Sequence, residues 1–384
     1  MTILPFASAI YIQTQSELSV LAETLADEPL LAIDTESNSL HAYRERVCLI
    51  QISTSEADII IDPLQLSDMS PLAPLMASPD IEKVFHAAEY DILCLKRDFG
   101  YIFHNVFDTM VAARVIGYRS IGLSNLLEEY MGVILDKVHQ RDDWGVRPLP
   151  EDSLHYAQMD THFLPQLRDI LDANLREANQ WEEATELFEE LCHLSPAQQR
   201  EFDHDGYWKL GLPHFLKRHQ MAILRELYVM REKFAQERDC PPFKVMGNRT
   251  LLDLATKPPN YLGDLTHVEG LSGGFIRRFG HDILQAVERG RATQDQLGSP
   301  PRHNPPHPVV TDRYAALHAW RRDRANQRGV ESDVILSKQT LWDLAHKAPK
   351  TYEELITIQG LGPWRREKYG TEILTIIEQS RITE

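Results

Sequence analysis

Two short segments of this chain place acidic side chains where they could work together. Asp34 and Glu36 follow a short apolar run, and residues two apart on a strand lie on the same face. Tyr156 and Asp160 are four residues apart in a stretch with helical periodicity, so they neighbour each other on one helix face. With Asp91 from a middle segment, the chain can gather four carboxylates and one phenol at one point.

Such a cluster predicts divalent cations. Two carboxylates about 5 Å apart repel by roughly 3 kcal/mol at an effective dielectric constant near 20. Four together require cations or raised pKa values. Hard oxygen ligands without His or Cys select Mg²⁺ or Mn²⁺ over zinc, and two such ions can stabilise both oxygens of a phosphodiester displacement. Asp34 alone could cap a turn and Asp91 alone could be a solvated helix residue, so the hypothesis depends on the combined order and spacing.

An α/β domain with a mixed sheet must position these side chains. Runs rich in Ile, Val and Leu predict strands at residues 30–36, 47–53, 58–61 and 83–86. Helical periodicity predicts helices at residues 89–99, 109–116 and 123–131, and again from residue 151 through the apolar positions up to 171. The alternation of strands and helices predicts that this domain ends near residue 195.

The C-terminal half is a duplication. Residues 250–255, 268–271 and 279–284 match residues 340–345, 358–361 and 369–374, always with the same offset along the chain. A constant offset indicates a repeated domain, and strand signals are absent beyond residue 210. The Pro-rich stretch at residues 293–308 predicts a linker between the two copies.

Composition excludes several classes of protein. The chain has 384 residues, 43% hydrophobic and 25% charged, which suits two or three globular domains. It has no apolar run long enough for a membrane span and no recognisable secretory signal. Its four cysteines are widely spaced, so we expect reduced thiols and a cytoplasmic location.

The charge distribution is uneven. At first sight, the net charge of −17 argues against binding to nucleic acid. However, residues 1–200 carry 33 acidic and 13 basic side chains, whereas residues 201–384 carry 24 and 27. An acidic half joined to a mildly basic half can indicate contact with nucleic acid, although so small a basic excess is also unremarkable.

Together these motifs resemble the DEDD superfamily of 3′–5′ exonucleases, and within it the ribonuclease D family. The resemblance covers essentially the whole chain and lies in residues 33–37 with 48–52, 84–91, 107–109, 137, 143–149 and 156–160. It implies a ribonuclease H-like mixed sheet flanked by helices in residues 1–195. It further implies two all-α HRDC-like helical domains at residues 210–292 and 309–384, joined by the linker at 293–308.

The resemblance also implies the roles of the motif residues. Asp34, Glu36, Asp91 and Asp160 would hold two divalent cations, Mg²⁺ or Mn²⁺, and Tyr156 would orient the attacking water. Nucleoside 5′-monophosphates would leave one at a time from RNA 3′ ends. The expected substrates are tRNA precursors and other small stable RNAs. We expect a monomer that binds no small-molecule cofactor and does not associate with a membrane.

Two other functions remain open at this point. A 3′–5′ DNA exonuclease would carry the same motifs, because contacts to the 2′-hydroxyl cannot be read from sequence. An inactive RNA-binding scaffold is the third hypothesis, but all four carboxylates are present.

The residue that orients the water has an alternative. Related exonucleases place a His five residues before the last Asp, where His155 stands here. On a helix, residues four apart lie about 40° from each other and residues five apart about 140°. Tyr156 is therefore the better candidate, unless His155 precedes the first helical turn.

Four residues are candidate substrate-binding groups: Lys137, Arg147, Thr35 and His86. Lys137 and Arg147 could contact phosphate, or they could form salt bridges within an acidic domain. Asp108 resembles a fixed family position and is expected to be structural. Each repeat has a glycine-containing turn before a helix, at residues 269–274 and 359–364. These turns could bind phosphate through backbone N–H groups, or they could simply permit a tight interhelical turn.

Overall fold

The computed structural model describes residues 7–136, 138–196, 202–210, 216–293, 297 and 305–382. The chain divides into two compact units. The first comprises the described residues of Met1–Ser37, Val47–Pro196 and Pro305–Glu384, and the second those of Asn38–Arg46 and Ala197–Asn304. Within the described residues, no helix is both long enough and apolar enough to cross a membrane.

The first unit contains a six-stranded mixed sheet. Its strands are β1 (Ile10–Ile12), β2 (Leu30–Ser37), β3 (Val47–Ser53), β4 (Asp58–Ile61), β5 (Glu82–Phe85) and β6 (Val106–Asp108). Their order is β1-β4-β3-β2-β5-β6. The β2–β3 and β3–β4 pairs are antiparallel and the other three pairs are parallel. The predicted mixed sheet is thus confirmed, with β2, which carries Asp34 and Glu36, near its centre.

Helices flank both faces of this sheet. They are α1 (Gln15–Leu25), α2 (Ala73–Ala77), α3 (Glu89–Phe99), α4 (Thr109–Ile116), α5 (Leu123–Met131), α6 (Glu151–His162), α7 (Leu164–Glu177) and α8 (Trp181–Cys192). On one face, apolar side chains of β2 and β3 such as Ile33 and Ile52 share a core with Ile92 of α3. On the other face, α6 packs against β2, β3 and β4.

One expectation about the helices is wrong. The helical period that begins at residue 151 does not continue to residue 171, because the helix breaks at Phe163 between α6 and α7. Pro165 lies in the first turn of α7, where its missing N–H needs no partner. Inside one continuous helix, Pro165 would have no N–H for the carbonyl four residues earlier, and α6 accordingly ends at His162, two residues after Asp160.

The second unit and the second repeat are helical. The second unit contains α9 (Arg218–Glu237), α10 (Pro242–Val245), α11 (Asn248–Thr256) and α12 (Gly273–Ala292). The second repeat contains α13 (Pro308–Arg328), α14 (Ser332–Ile335), α15 (Lys338–Lys347), α16 (Tyr352–Leu355) and α17 (Pro363–Ile382). Within the described parts of residues 216–382 there is no strand. The domain boundaries given above remain predictions, and residues 294–296 and 298–304 of the proposed linker lie outside the described residues.

The glycine turns of the two repeats have the same structural role. Gly270 and Gly360 both have positive φ, 90° and 72°. A Cβ at Gly270 would lie 2.4 Å from the Thr250 hydroxyl oxygen, and one at Gly360 would lie 2.5 Å from that of Thr340. Only glycine therefore fits these two turns. This geometry favours the tight-turn interpretation over phosphate binding.

Candidate active site

Three carboxylates converge at the carboxyl end of β2. Asp34 and Glu36 project from this strand and Asp160 projects from α6, and one potential ligand atom from each lies within 4.8 Å of the others. The strand alternation places the first two on the face that α6 covers. The helix therefore brings Asp160 to them, as the sequence spacing predicts.

Asp91 joins this group from the opposite face of the sheet. It lies in the first turn of α3 and is 6% exposed. The hydroxyl of Thr35 donates a hydrogen bond of 2.5 Å to Asp91 Oδ1. Because Thr35 stands between Asp34 and Glu36 on β2 and faces the other way, it links Asp91 to the strand that carries these two carboxylates.

The carboxylates disturb one another's ionisation. Burial raises the pKa of Asp34 well above its usual range, and the charge of Asp160 adds to the effect. Burial, followed by the charges of Asp34, Asp160 and Asp91, raises the pKa of Glu36 to about 10. Burial raises the pKa of Asp160 to about 7, although a hydrogen bond from Tyr156 acts in the opposite direction. A cluster of hard oxygen donors that resists full ionisation by itself fits divalent cations.

Tyr156 completes the cluster. Its hydroxyl is hydrogen-bonded to Asp160, and burial together with the neighbouring carboxylates raises the pKa of Tyr156 above its usual value. The phenol therefore stays protonated at neutral pH and can donate a hydrogen bond. Its ring neighbours those of His139 and Trp144, and the ring centroids of both pairs are 6.2 Å apart.

The segment before α6 supports Tyr156. Asp142 accepts hydrogen bonds from Ser153 Oγ at 2.7 Å and, with the matching tautomer, from His139 Nδ1 at 2.8 Å. The charge of Asp142 also contributes to the raised pKa of Glu36. Asp142, His139 and Trp144 were not predicted as site residues. Trp144 lies in the stretch 143–149 that carries the family resemblance, whereas the signal for Asp142 and His139 was only their position just ahead of the last motif.

A cleft of about 380 Å³ opens beside Tyr156 and Asp160. One wall is the segment of residues 133–136 with His139, and the other is the face of α6 that carries His155, Tyr156, Met159 and Asp160. Its lining combines aliphatic side chains with carboxylates and imidazoles. Such a mixed lining suits a ligand that has an apolar ring and polar substituents.

Comparison with known proteins identifies the family. Residues 9–176 match the 3′–5′ exonuclease family, and residues 220–287 and 310–377 each match the HRDC domain. The ribonuclease D of Gluconacetobacter diazotrophicus is 30% identical over 382 residues, covering 97% of this chain and 93% of that protein. The chain belongs to the ribonuclease D family. The ribonuclease D of Pseudomonas paraeruginosa is also 30% identical, covering 96% of this chain and 98% of that protein.

A solved structure extends the match to the whole fold of this ribonuclease D family member. The crystal structure of Escherichia coli ribonuclease D, described as an exoribonuclease involved in structured RNA processing, superposes with a TM-score of 0.69. It is 26% identical and covers 97% of this chain and 99% of that one. The predicted family, the α/β domain followed by HRDC domains, and the enzyme class of a ribonuclease D-like exonuclease are confirmed.

The geometry bears on the choice between Tyr156 and His155. Helix α6 begins at Glu151, so His155 lies inside the helix rather than before its first turn. His155 would have been favoured if it preceded the first helical turn, and it does not. Tyr156 shares a face with Asp160 and bonds to it, whereas His155 is exposed at the cleft. The assignment of Tyr156 is supported by this geometry and remains a prediction.

Arg147 occupies a different position from the expected one. Its Nε lies 2.6 Å from Asp62 Oδ2 and its Nη2 lies 2.8 Å from Asp62 Oδ1. The remaining donors of Arg147 bind the carbonyl oxygens of Trp144, Val146 and Cys48. All of its N–H groups are thus committed within the protein. This favours the salt-bridge alternative, in which Arg147 anchors the segment before α6.

The other candidate substrate-binding residues also have partners or cannot be placed. Thr35 bonds to Asp91, as described above. His86 Nδ1 lies 2.9 Å from Thr109 Oγ1, and burial lowers the pKa of His86, so its ring is neutral at neutral pH. Asp108 accepts hydrogen bonds from Ala88 N and from the start of α4, which agrees with the expected structural role. Lys137 lies outside the described residues.

Proposed function

We propose that this chain is a metal-dependent 3′–5′ exoribonuclease that releases nucleoside 5′-monophosphates one at a time from RNA 3′ ends. The observation that carries the proposal is the convergence of potential ligand atoms of Asp34, Glu36 and Asp160 within 4.8 Å, with Asp91 held to the same strand by the Thr35 hydroxyl. Membership of the ribonuclease D family supports RNA as the substrate. The family match alone does not name residues, and the carboxylate geometry supports the choice of these four.

The donor set suits two divalent cations. Asp34, Glu36, Asp91 and Asp160 would hold them, and their all-oxygen chemistry favours Mg²⁺ or Mn²⁺. When bound, such ions stabilise charge on the attacking and leaving oxygens of a phosphodiester and help to deprotonate water. No other group of His, Cys, Asp or Glu within the described residues has comparable geometry.

Side chains of this protein would hold the attacking water and position the group that orients it. Tyr156 keeps its proton and donates it in a hydrogen bond to Asp160, so its hydroxyl oxygen can accept a hydrogen bond from the attacking water and hold that water in line. The aromatic neighbours His139 and Trp144 restrict its ring. Because Asp160 accepts from the same hydroxyl, the phenol is held close to the carboxylates that would carry the cations.

The cleft beside Tyr156 is our candidate for the terminal nucleoside. Its aliphatic wall at residues 133–135 offers a surface for a base, and Asp136, His139 and Asp152 offer partners for hydroxyl groups. A site that holds one nucleoside next to the cations would release one nucleotide per cycle. The volume of about 380 Å³ is at the lower end of ordinary ligand sites, which suits a single nucleotide.

We further propose that the natural substrates are tRNA precursors and other small stable RNAs, and that the protein acts as a monomer in the cytoplasm. The involvement of the Escherichia coli relative in structured RNA processing supports the first point. The four cysteines are free thiols, which supports a reducing compartment.

Digestion of matched single-stranded RNA and DNA with identical 3′ sequences tests this function. We expect release of 5′-monophosphates from RNA in Mg²⁺ or Mn²⁺, and none in a chelator. Faster digestion of DNA would replace the proposal with a DNA exonuclease. Absence of any nucleotide release across several RNAs, despite Mn²⁺ binding, would favour an RNA-binding scaffold.

A further inference from the structure

Gln51 is a buried amide whose polar atoms have no partner. It lies in the middle of β3 and is 0% exposed. Neither its Nε2 nor its Oε1 makes a hydrogen bond to any described residue. Burying an amide without hydrogen-bond partners costs free energy, so an unpaired amide in the centre of a sheet requires an explanation.

The position of Gln51 indicates the missing partner. In the antiparallel pairing of β2 with β3, Gln51 stands directly opposite Asp34. Directly opposite residues project from the same face, with Cβ atoms about 5 Å apart. Two residues further along β3, Ser53 projects from that face and bonds to Thr161 of α6. Gln51 therefore lies under α6, in the layer that holds Asp34.

A second buried glutamine in this layer provides a comparison. Gln158 of α6 is 4% exposed, and its Nε2 donates to Ala7 O at 2.9 Å and to Asp58 Oδ2 at 2.7 Å. The fold thus satisfies one buried amide on this side of the sheet with its own groups. Gln51 differs because its nearest polar neighbour across the strands is a residue of the proposed cation site.

We propose that Gln51 is a positioning residue for Asp34, with its amide donating to the Asp34 carboxylate in the cation-loaded protein. A carboxylate that binds a cation through one lone pair has others that need donors, and such outer partners hold the ligand in its binding orientation. The inference rests on the proposed function, because it requires a cation at Asp34. It adds a residue that touches neither substrate nor cation and acts only through Asp34.

Paired glutamine-to-methionine substitutions in the full chain test this role. Methionine keeps the length and volume of glutamine but removes the amide. We expect Gln51→Met to leave the free energy of unfolding in chelator unchanged or raised, because an unpaired polar group disappears. We expect its Mn²⁺ affinity, measured by calorimetry, to fall about tenfold, within the range observed when an outer partner of a ligand is removed.

Gln158→Met is the matched control. It removes an amide that is already paired, so we expect a lower free energy of unfolding in chelator and a Mn²⁺ affinity within about twofold of the original chain. For Gln51→Met, excess Mn²⁺ should restore turnover with an unchanged KM for RNA. If Gln51→Met fails to fold, Gln51→Leu provides the same comparison.

Two results would overturn the role of Gln51. One is an unchanged Mn²⁺ affinity in Gln51→Met, which would indicate that the amide is satisfied by buried water alone. The other is a loss of stability in chelator as large as that of Gln158→Met. If the unsubstituted chain binds no Mn²⁺ at all, the proposed function fails and this inference fails with it, which distinguishes that outcome from the other two.

Discussion

The carboxylates of the candidate site lie closer together than isolated carboxylates would tolerate. Glu36 shows this most clearly, because burial and the charges of four acidic neighbours raise its pKa to about 10. Asp160 follows with a pKa of about 7. The site therefore retains protons at neutral pH unless cations replace them, so that metal binding and ionisation are coupled.

This coupling predicts a pH dependence of stability. A carboxyl group whose pKa is raised by folding binds more protons in the folded chain than in the unfolded chain. In chelator, the stability contributed by protonated Glu36 should therefore be present near pH 4.5 and decline as the pH rises toward 10. Thermal unfolding between pH 5.5 and 9 measures this decline. Glu36→Gln should flatten it, and a dependence that is equally steep in that variant would exclude Glu36 as its source.

The proposed role of Tyr156 gives a second prediction. Tyr156→Phe keeps the ring beside those of His139 and Trp144 but removes the hydroxyl. We expect kcat to fall by about 10²-fold, typical of a lost proton-handling or positioning group. His155→Ala, the matched control on the neighbouring helix position, should change kcat by less than about threefold, far below that loss. Near-normal turnover in the first variant with inactivity in the second would reverse the assignment.

The carboxylates and the phenol of the candidate site could be predicted from the sequence because their signals are local. Asp34 and Glu36 follow strand periodicity, while Tyr156 and Asp160 follow helix periodicity. The salt bridge of Arg147 could not be predicted, because its partner Asp62 is 85 residues away and no local pattern links them. A cation near an acidic motif can equally bind substrate or the protein itself, and only the fold distinguishes these roles.

At the scale of elements, the segment between α5 and α6 depends on one buried ion pair. Asp62 has a fully buried side chain, and Arg147 is the only cation paired with it among the described residues. The hydroxyl of Tyr11 also donates to Asp62 at 2.8 Å. This pair ties the residues before α6 to the residue that directly follows β4.

Arg147→Met should therefore destabilise the protein rather than weaken RNA binding. Removing one partner leaves the Asp62 carboxylate buried with an uncompensated charge, at a cost of about 3 kcal/mol in the free energy of unfolding. Chemical denaturation measures the loss. Asp62→Asn in the same variant should recover part of it. A raised KM for RNA with unchanged stability would instead restore Arg147 as a phosphate contact.

The elements themselves were predicted unevenly. Strong periodicity predicted β2, β3, β4 and helices α3 to α5 nearly at their observed bounds, and it predicted the start of α6 but not its end. The three-residue strands Ile10–Ile12 and Val106–Asp108 were missed, because so few residues cannot show an alternating pattern. Their pairing depends on neighbouring strands, which sequence periodicity does not reveal.

At the scale of the whole molecule, the second repeat is docked on α8 within the first unit. Arg365 is buried and pairs with Glu190 at 2.7 Å and with Glu186 at 3.5 Å. Arg328 pairs with Glu183 at 2.6 Å. The duplication was evident from the sequence. These contacts were not, because each joins residues more than 100 positions apart.

This docking gives a prediction for the basic residues of the second repeat. Arg365→Met should lower the free energy of unfolding by about 3 kcal/mol, because it leaves two glutamates without their buried cation. Lys368→Met, at an exposed position three residues later, should change it by no more than about 0.5 kcal/mol. Equal effects in urea denaturation would show that the buried pairs do not hold the repeat in place.

The most direct measurement of the central claim is the product chemistry of a 3′-labelled RNA digested in Mn²⁺. The account predicts that the original chain releases single nucleoside 5′-monophosphates from the 3′ end and that Asp34→Asn and Asp160→Asn release none while retaining their fold. Products that carry 3′-phosphates, or undiminished release by either carboxylate variant, would contradict it.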